Sequence, residues 1–418
     1  MFVGMRFFNF NVKPVKNKII LSLSVILLTV VPAMSVISSD AIQSTETPAI
    51  EKVIVEFYGE QIPLLFHSDM NIRFTGAVEE ENMVDYYKRL EKSSFYIILD
   101  ELDKFQKEYN LNDWLYYKLM KAAVSGFYPA GSDTQVELTT WFLLSKKGWN
   151  TRLAYSGDNV FVYVFTVDEL FEIPMIDDDG KTFVNLSGIG LKKKLKQGIY
   201  MLNFTPGPKG HSFNFYLESL PRFHPNQETR SFSFGFKGQQ YQINVKVDKR
   251  IKQLMDDYPI FAENEYLEVP FSETVENSLI PQLKVFLKGK SETESLEFLV
   301  AFTRSSFRYK KDQEYFGDSK PMIAEEVFHY PFSDCEDRSA LFYRLVKELL
   351  DLPMLIIAYP EHLTIAVSFS PEEGGDAIQF KGKNYYICDP TGPVNSIEIG
   401  WIPREFRNSK FEIIGSYK

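Results

Sequence analysis

The chain has 418 residues, of which 44% are hydrophobic, and it carries a formal net charge of -10. A chain of this length and composition can bury a large core and is expected to form two or more domains. The acidic balance disfavours nucleic acid as a partner, and the sequence contains neither a glycine-rich phosphate loop nor a cysteine and histidine cluster with metal-binding spacing.

Residues 1–39 have the pattern of a secretory signal peptide. An uncharged, mostly apolar stretch at 19–31 is followed by Pro-Ala-Met-Ser at 32–35 and preceded by four basic residues, Arg6, Lys13, Lys16 and Lys18. We therefore predict export to the periplasm or the extracellular space. The apolar stretch is short for a membrane span, so we expect no integral span in the mature chain, with an uncleaved anchor as the open alternative. Removing the four positive charges would change the formal charge from -10 to -14.

An internal repeat organises the rest of the chain. A hairpin-like segment with alternating residues around a glycine turn at 53–62 recurs at 232–241. A helical stretch ending at 125–127 likewise matches one ending at 305–307. The nearly constant separation of the two matches indicates two copies of one unit.

The later part of each proposed copy follows the order helix, strand, strand and strand, with equivalent turns at Gly180 and Gly382. The separation is larger there, so an insertion must be assumed. We predict a first repeat at 40–227 and a second at 228–418. Two unrelated α+β stretches with similar turn residues are the alternative.

The first repeat lacks the groups for thiol chemistry. No cysteine or histidine occurs between His67 and His211, and Ser187 falls about where Asp389 lies in the second repeat. A thiol enzyme cannot work without a thiol. The first repeat is therefore expected to be a degenerate copy that serves docking, gating or recognition.

Cys335 stands at the predicted start of a helix in the second repeat. Ser333 and Glu336 fit the S-x-x-E pattern of a capping box, which places Cys335 in the first turn. The helix has apolar residues four apart and ends before Pro353; these residues are Leu341, Leu345 and Leu349. The unpaired N–H groups and the dipole of a first turn favour a thiolate, which is the reactive form of cysteine.

Two strand-like runs follow the predicted helix, at 354–359 and 362–369. Alternation in the second run puts His362 on one face and the apolar residues on the other. His362 is therefore expected to point away from the apolar face.

A further strand-like run at 384–388 leads into Asp389 and then into a proline. On an antiparallel neighbour of the histidine strand, Asp389 could accept a hydrogen bond from one ring nitrogen of His362. The other nitrogen would then face Cys335.

Three motifs in this order resemble the transglutaminase-like (papain-like) superfamily. They are D-C-E-D-R-S-A at 334–340, a strand that opens with His362, and Y-x-x-x-D-P-T at 385–391. The D-C-E-D form resembles the bacterial transglutaminase-like cysteine peptidases. The resemblance covers roughly residues 292–391, and it implies an α+β fold in which a helix packs on an antiparallel sheet, with the catalytic unit at 228–418.

The resemblance implies a thiol hydrolase that cleaves peptide or isopeptide bonds of a protein or peptide substrate through a thioester. In this chemistry Cys335 attacks the acyl carbon, His362 moves the proton, and Asp389 holds the imidazole. Acyl transfer to an amine, which makes a protein crosslink, uses the same thioester and stays open. A non-catalytic binding protein with a vestigial site is the alternative from a different class.

Calcium is the one cofactor that the resemblance suggests. In the calcium-dependent peptidases of this group the acidic residues that flank the nucleophile hold the ion, which corresponds here to Asp334 and Glu336. A helix-capping role for Glu336 explains the same residue equally well.

Other interpretations of the site residues stay open. Cys335 could be an inert buried thiol, or it could form a disulfide with Cys388 in an exported chain. Alternation puts Cys388 and Asp389 on opposite faces of their strand, which favours two free thiols. His329, which lies six residues before Cys335, is a competing base.

Overall fold

The computed structural model describes most of the chain, namely residues 49–187, 198–206, 209–371, 374–392, 399–404 and 406–418. The signal peptide predicted at 1–39 lies outside these residues. The described ranges form helices and mainly antiparallel sheets, so the protein is of mixed α and β structure, as the α+β prediction requires. None of the helices in these ranges is long and apolar enough to cross a bilayer.

The amino-terminal half begins with a hairpin, continues through helices and ends in strands. The hairpin consists of β1 (Ile50–Phe57) and β2 (Glu60–His67). The helices are α1 (Glu80–Leu90), α2 (Tyr96–Tyr109), α3 (Asp113–Phe127) and α4 (Asp133–Lys147). The strands that follow are β3 (Thr151–Ser156), β4 (Asn159–Phe165), β5 (Leu170–Phe171), β6 (Met175–Asp178), β7 (Lys181–Asn185) and β8 (Tyr200–Met201).

The carboxyl-terminal half also begins with a hairpin, β9 (Gln227–Phe236) and β10 (Gln239–Asp248). Its helices are α5 (Lys249–Asp256), α6 (Glu263–Glu268), α7 (Glu273–Leu287), α8 (Glu292–Ser306), α9 (Asp312–Tyr315) and α10 (Cys335–Leu349). Its short strands are β11 (Ile260–Phe261), β12 (Arg308–Tyr309) and β13 (Phe332–Ser333). The last strands are β14 (Met354–Tyr359), β15 (His362–Val367), β16 (Ile378–Phe380), β17 (Lys383–Ile387) and β18 (Glu412–Tyr417).

Both hairpins turn through two residues with left-handed backbone geometry. Tyr58 and Gly59 have φ angles of 46° and 81°, and Lys237 and Gly238 have φ angles of 46° and 80°. Positive φ at both central residues matches the right-handed twist of the flanking strands, and glycine adopts it without steric strain. The alternation in β2 then gives it one buried face, formed by Ile62, Leu64 and Phe66.

Two five-stranded sheets have the same strand order. The first is β6-β7-β4-β3-β8 and the second is β16-β17-β15-β14-β18. All neighbouring strands in both sheets are antiparallel. In each half one long helix packs on the sheet, α4 on β4 and α10 on β15. The helix-on-sheet layer expected for the second repeat is therefore present, and it positions Cys335 beside the strand that begins with His362.

The elements around the candidate site form where the sequence predicts them. The run at 354–359 is β14, and the run at 362–369 is β15 with its last two residues beyond the strand. The helix α10 ends at Leu349 and leaves a short connection before Pro353. The alternation prediction for β15 is also confirmed, because its apolar face packs into the main core.

One hydrophobic cluster extends through both halves. Strand β5 of the first half pairs with β11 of the second. The aromatic rings of Trp114 and Tyr258 lie 6.3 Å apart, and those of Tyr216 and Phe261 lie 5.7 Å apart. The boundary predicted after residue 227 therefore separates elements that share a core.

Candidate active site

Cys335 is the first residue of α10, which confirms its predicted place in the first turn. The helix is capped by Asp334, whose carboxylate accepts a hydrogen bond from the N–H of Asp337 at 3.5 Å. The carboxylate of Asp337 accepts one in return from the N–H of Asp334 at 3.1 Å. The capping box predicted for Ser333 and Glu336 is thus wrong by one residue, because both pairs have the required spacing and the helix uses the later one.

The contacts of Ser333 explain this choice. Nε of Arg338 donates to Oγ of Ser333 at 3.0 Å, and Nη2 of Arg338 donates to the carbonyl of Phe307 at 2.7 Å. Arg338 is almost completely buried. Its side chain therefore joins the residue before the helix to the end of α8, and it holds the start of α10, with Cys335, in a fixed position.

The thiol of Cys335 lies in a buried and acidic environment. Only 6% of the residue is exposed, and Sγ donates a hydrogen bond to Oε2 of Glu336 at 2.8 Å. Burial raises the pKa of the thiol, the carboxylates of Glu336 and Asp334 raise it further, and the N–H of Leu363 opposes them. The preference of a helix start for a thiolate is therefore outweighed here by burial and by two neighbouring carboxylates.

His362 is the first residue of β15 and stands beside the start of α10. Ser339, one turn after the thiol, donates its hydroxyl to the carbonyl of Leu363 at 2.9 Å, which fixes the helix against the strand. The ring of His362 stacks on Phe406, with ring centroids 4.7 Å apart and planes inclined by 8°. This stacking restricts the imidazole on the face that the strand alternation predicts.

Asp389 lies beyond the end of β17 and reaches His362. The N–H of Cys388 donates to the carbonyl of Ile365 at 2.8 Å, which keeps the chain beside β15 past the end of the strand. Oδ2 of Asp389 lies 3.4 Å from Nε2 of His362. This is an ion-pair distance that is long for a hydrogen bond, and Nε2 makes no well-formed hydrogen bond within the described residues. Nε2 is therefore the ring nitrogen that faces Asp389, and among the described residues no hydrogen bond joins the His362 ring to the Cys335 thiol, which donates to Glu336 instead.

Asp389 is held in its ionised form. Burial on its own would raise the pKa of this carboxyl, but His362, the N–H of Thr391 and the Arg304 guanidinium together lower it below its ordinary value. The N–H of Thr391 donates to Oδ1 at 2.9 Å, and Nε of Arg304 donates to the carbonyl of Asp389 at 3.0 Å. The sequence gives no local signal for Arg304, because its role depends on a contact between distant segments.

Four carboxyl groups cluster around the start of α10. Oxygens of Asp334 and Glu336 and the sulfur of Cys335 lie within 4.8 Å of one another, and oxygens of Asp312, Asp334 and Asp337 form a second such group. The structure therefore brings together Asp334 and Glu336, the two ligands suggested by the sequence. Asp337 was missed although it belongs to the D-C-E-D motif, and Asp312 was missed because it comes from the separate helix α9.

This acidic cluster has the donor chemistry of a site for a hard cation. Oδ1 of Asp337 is buried and has no hydrogen-bond partner among the described residues. Burial and neighbouring carboxylates raise the pKa of Asp312 to about 6, and they also raise the pKa of Asp334 and Asp337. Carboxylate oxygens are the ligands that Ca²⁺ prefers. The residues present therefore fit a calcium ion.

Cys335 and Cys388 are both free thiols, as their predicted opposite-facing positions suggest. Cys388 is fully buried, its sulfur lies 3.8 Å from the carbonyl of Tyr386, and burial raises its pKa. Cys388 is thus an inert buried thiol, and the same interpretation stays open for Cys335, which is also buried and has a raised pKa.

His329 belongs to a short turn that contacts α5, β10 and α10. Burial lowers the pKa of its ring to about 4, and the charged groups that act on it come from the hairpin and α5, namely Glu228, Arg230, Lys252 and Asp256. A ring with so low a pKa is a weak proton acceptor, which disfavours His329 as the base.

None of the known protein-family models matches this chain. No curated protein and no solved structure is detectably similar to it either. The resemblance to the transglutaminase-like superfamily therefore rests on the three motifs themselves.

Proposed function

We propose that the protein is an exported thiol hydrolase of the transglutaminase-like type, which cleaves peptide or isopeptide bonds with Cys335, His362 and Asp389. The observation that carries this proposal is the convergence of three separate segments. Oδ2 of Asp389 lies 3.4 Å from Nε2 of His362, and α10, which begins with Cys335, is joined to the residue after His362 by the hydrogen bond from Ser339 to the carbonyl of Leu363 at 2.9 Å. A nucleophile, its base and an orienting carboxylate have to come together in this way, so the closeness of the three segments supports the proposal.

In the proposed reaction the thiol of Cys335 gives its proton to Nδ1 of His362, and the sulfur attacks the acyl carbon. The C–N bond then breaks, and the imidazolium gives the proton to the departing amine. Water attacks the thioester with His362 as base, which releases the acid and restores the thiol. Asp389 keeps the ring oriented and stabilises the imidazolium throughout.

The backbone N–H of Cys335, at the start of α10, is one natural donor to the oxyanion. Tyr330 is close in sequence, but its hydroxyl donates to Oδ1 of Asp256 at 3.0 Å. Because this hydroxyl is already hydrogen-bonded to Asp256, Tyr330 is disfavoured as the second donor to the oxyanion.

The acidic cluster supports calcium as the cofactor of this proposal. Asp334 and Glu336 would hold the ion together with Asp312 and Asp337. A divalent cation bound there would neutralise the carboxylates that raise the pKa of the thiol. Glu336 connects the two sites, because it is both a proposed ligand and the acceptor of the thiol hydrogen bond.

A non-catalytic binding protein is the second candidate. It is favoured by the acidic and buried environment of Cys335, because a thiol that stays protonated is a poor nucleophile. In this case the site is vestigial, and the surface of the protein holds another exported protein or a glycan.

We also infer that the two halves are copies of one papain-like unit, of which the first is degenerate. The two five-stranded sheets share their strand order, and α3 and α8 are both 15 residues long. The hydrogen bond from Cys388 N–H to Ile365 has a counterpart in the first half, where the N–H of Leu186 donates to Val162 at 2.8 Å.

Matching the sheets strand for strand assigns counterparts to the proposed triad. Asn159 pairs with Ser156 where His362 pairs with Tyr359. Ser187 stands two residues after β7, as Asp389 stands two residues after β17, and α4 begins at Asp133 as α10 begins at Cys335. No thiol or imidazole occupies these positions in the first half, so we propose that it serves substrate docking or recognition.

Cys335→Ala and Cys388→Ala form a matched pair for testing this function. The purified protein is incubated with calcium and exported proteins of the producing cell, and new termini and new amide crosslinks are identified by mass spectrometry. We expect cleavage by the wild type and by Cys388→Ala, and none by Cys335→Ala. Equal cleavage by Cys335→Ala would overturn the proposal. Crosslinks instead of new termini would indicate acyl transfer, and unchanged proteins in every sample would favour the binding protein.

Export is tested on its own. The protein is recovered separately from the cytoplasm and from the exported fraction, and its first peptide is sequenced. We expect an exported chain that begins near residue 40, and a cytoplasmic chain that retains residues 1–39 in full would contradict this expectation.

A further inference from the structure

A cavity of about 940 Å³ opens beside the proposed triad. It is bordered by the end of α8, the start of α10, strand β12 and the residues that follow Asp389. Three of its lining residues are arginines, Arg304, Arg308 and Arg338, and none of the described residues that line it is acidic. This positive lining stands out in a chain whose formal net charge is -10.

Two of these arginines are buried and form no direct ion pair within the described residues, although the Asp389 carboxylate acts on Arg304 and those of Asp334 and Asp337 act on Arg338. Arg304 and Arg338 are 3% and 1% exposed. Arg304 donates to the carbonyl of Asp389, and Nη1 of Arg304 has no hydrogen-bond partner among the described residues. Arg338 donates to the hydroxyl of Ser333 and to the carbonyls of Phe307 and Thr391. Buried charges are normally paired, so a bound anion would stabilise both guanidinium groups.

The third arginine is accessible. Arg308 lies on β12, is exposed, and forms no ion pair with any described residue. It places a positive charge at the cavity rim, where it can attract an anion before the anion reaches the buried pair.

The loop that carries Asp389 separates the cavity from the triad. The N–H of Thr391 donates to the Asp389 carboxylate, while the carbonyl of Thr391 accepts from Nη1 of Arg338 at 3.3 Å. Gly392 allows the loop to approach the cavity wall, because a Cβ there would lie only 2.8 Å from Nη2 of Arg304. A ligand bound in the cavity would therefore be separated from the proposed catalytic groups only by this loop.

The two buried arginines have no charged counterparts in the first half. Arg304 lies three residues before Phe307, and the residue three before Phe127 in the matched helical stretch is Val124. Arg338 is the fourth residue of α10, and the fourth residue of α4 is Val136. The arginines thus occur only in the half that carries the proposed triad, which links them to the site rather than to the shared architecture.

We propose that this cavity, the anion subsite of Arg304, Arg308 and Arg338, binds carboxylate side chains of an acidic polypeptide segment. Its role as a substrate subsite rests on the proposed function, and it deepens that function by naming the class of polypeptide that the site takes. Binding itself does not depend on catalysis, so it is measured on a protein that cannot cleave.

The test uses the purified Cys335→Ala protein and the fluorescence anisotropy of a fluorescein-labelled tetraglutamate peptide, with the matching tetraglutamine peptide as reference. We expect tetraglutamate to bind more tightly than tetraglutamine and to lose affinity as salt is raised. Arg308→Gln should weaken tetraglutamate binding by about three- to fivefold. Arg222→Gln removes an exposed arginine from the other half, so it controls for the change in net charge and should have no effect.

Equal binding of the two peptides, or equal effects of Arg308→Gln and Arg222→Gln, would overturn the anion subsite. Competition by inorganic phosphate at concentrations below those at which free glutamate competes would overturn the carboxylate assignment. Arg304→Gln is measured as well, and if it does not fold, Arg308→Gln decides alone. If tetraglutamate binds but the wild type shows no cleavage activity, the subsite stands and the hydrolase proposal is rejected. If the wild type cleaves protein substrates but tetraglutamate binds no more tightly than tetraglutamine, the hydrolase proposal stands and the subsite is rejected.

Discussion

Glu336 links the candidate nucleophile to the acidic cluster. Burial would raise the pKa of Glu336, but the hydrogen bond from the Cys335 thiol helps to lower it, while the pKa of the thiol itself is raised. The proton of this pair therefore resides on sulfur and the charge on the carboxylate. Nucleophilic attack by Cys335 requires that the sulfur lose this proton.

Glu336→Gln should make the Cys335 thiol more reactive. The substitution removes the nearest negative charge, so the thiol pKa falls, and the thiolate fraction near neutral pH rises about tenfold for each unit of that fall. The rate of iodoacetamide alkylation is measured in a Cys388→Ala background, so that only one thiol reports.

Glu276→Gln on α7 is the control, because Glu276 is exposed and distant from the thiol in the sequence. Its alkylation rate should equal that of the parent protein. A Glu336→Gln rate no higher than the parent's would show that Glu336 does not hold the thiol in its protonated state.

At the residue scale, the sequence predicted those site residues that stand in short local motifs. Cys335, His362 and Asp389 each stand in a short pattern that indicates both structure and chemistry. Arg304 and Asp312 have no such pattern, because their roles come from contacts made by separate helices. Burial, which decides the pKa of the thiol, is likewise a property of the folded chain.

The start of α7 shows how a buried acid can make an element sensitive to pH. Ser272 caps this helix, and both its N–H and its hydroxyl donate to Glu325, at 2.6 and 2.8 Å. Burial raises the pKa of Glu325 to about 7. Its protonated form is therefore favoured in the folded protein, and its contribution to stability is present below the pKa of the unfolded chain and is lost as pH rises through about 7.

Glu325→Gln should flatten this part of the pH dependence of stability. At about pH 5 the variant and the wild type should be similarly stable, and at about pH 8 the variant should be more stable by about 1–3 kcal/mol. Urea unfolding at the two pH values measures the difference. Glu276→Gln, an exposed position in the first turn of the same helix, should change both values by the same small amount, and a Glu325→Gln difference that is constant with pH would contradict the raised pKa.

The two hairpin turns differ in what surrounds them, although their backbones are alike. At Gly238 no atom lies within 4 Å of an added Cβ, whereas at Gly59 it would meet Nε of Arg250 at 2.9 Å. The Arg250 guanidinium is held there by an ion pair with Glu60. The first hairpin is thereby tied to the second half, and the second hairpin turns in open space.

Gly238→Ala should cost about 1 kcal/mol, the usual penalty for a left-handed residue other than glycine. Gly59→Ala should cost more, because it adds a clash with a guanidinium that cannot move without losing Glu60. The free energy of unfolding in urea, measured for both variants, compares the two positions. Equal losses would show that Arg250 gives way freely.

At the element scale, strands were predicted more accurately than caps. Strand β14 has the predicted bounds because an apolar run lies between Pro353 and Pro360. The cap of α10 was off by one residue, since Ser333 and Asp334 are both good N-cap residues and only the tertiary contact of Arg338 distinguishes them.

The shared core makes the two halves one folding unit. Tyr258 and Phe261 of the second half contact aromatic rings of the first, and β11 pairs with β5. Residues 228–418 produced alone should therefore expose this surface, self-associate on size exclusion and bind a hydrophobic dye, whereas the whole chain should unfold in one transition. A monomeric 228–418 fragment with a sharp unfolding transition would show that the halves are independent.

At the scale of the whole molecule, the sequence predicts a repeat, but it gives no signal for the contacts that join the two halves. Turn glycines and alternating residues indicate where units begin, and Gly59 and Gly238 both lie in such turns. The rings that join the halves, such as those of Trp114 and Tyr258, have no spacing that separates them from ordinary core residues.

The continuous core also has a consequence for the history of such a chain. Deleting the first of the two proposed copies would leave Tyr258 and Phe261 without their aromatic neighbours, so packing would be a sufficient reason for natural selection to retain this copy, besides the docking role proposed for it. The residues of this copy that correspond to the proposed triad, such as Asn159 and Ser187, could meanwhile be substituted without loss of stability. A first half without catalytic groups could therefore persist even if it had no activity of its own.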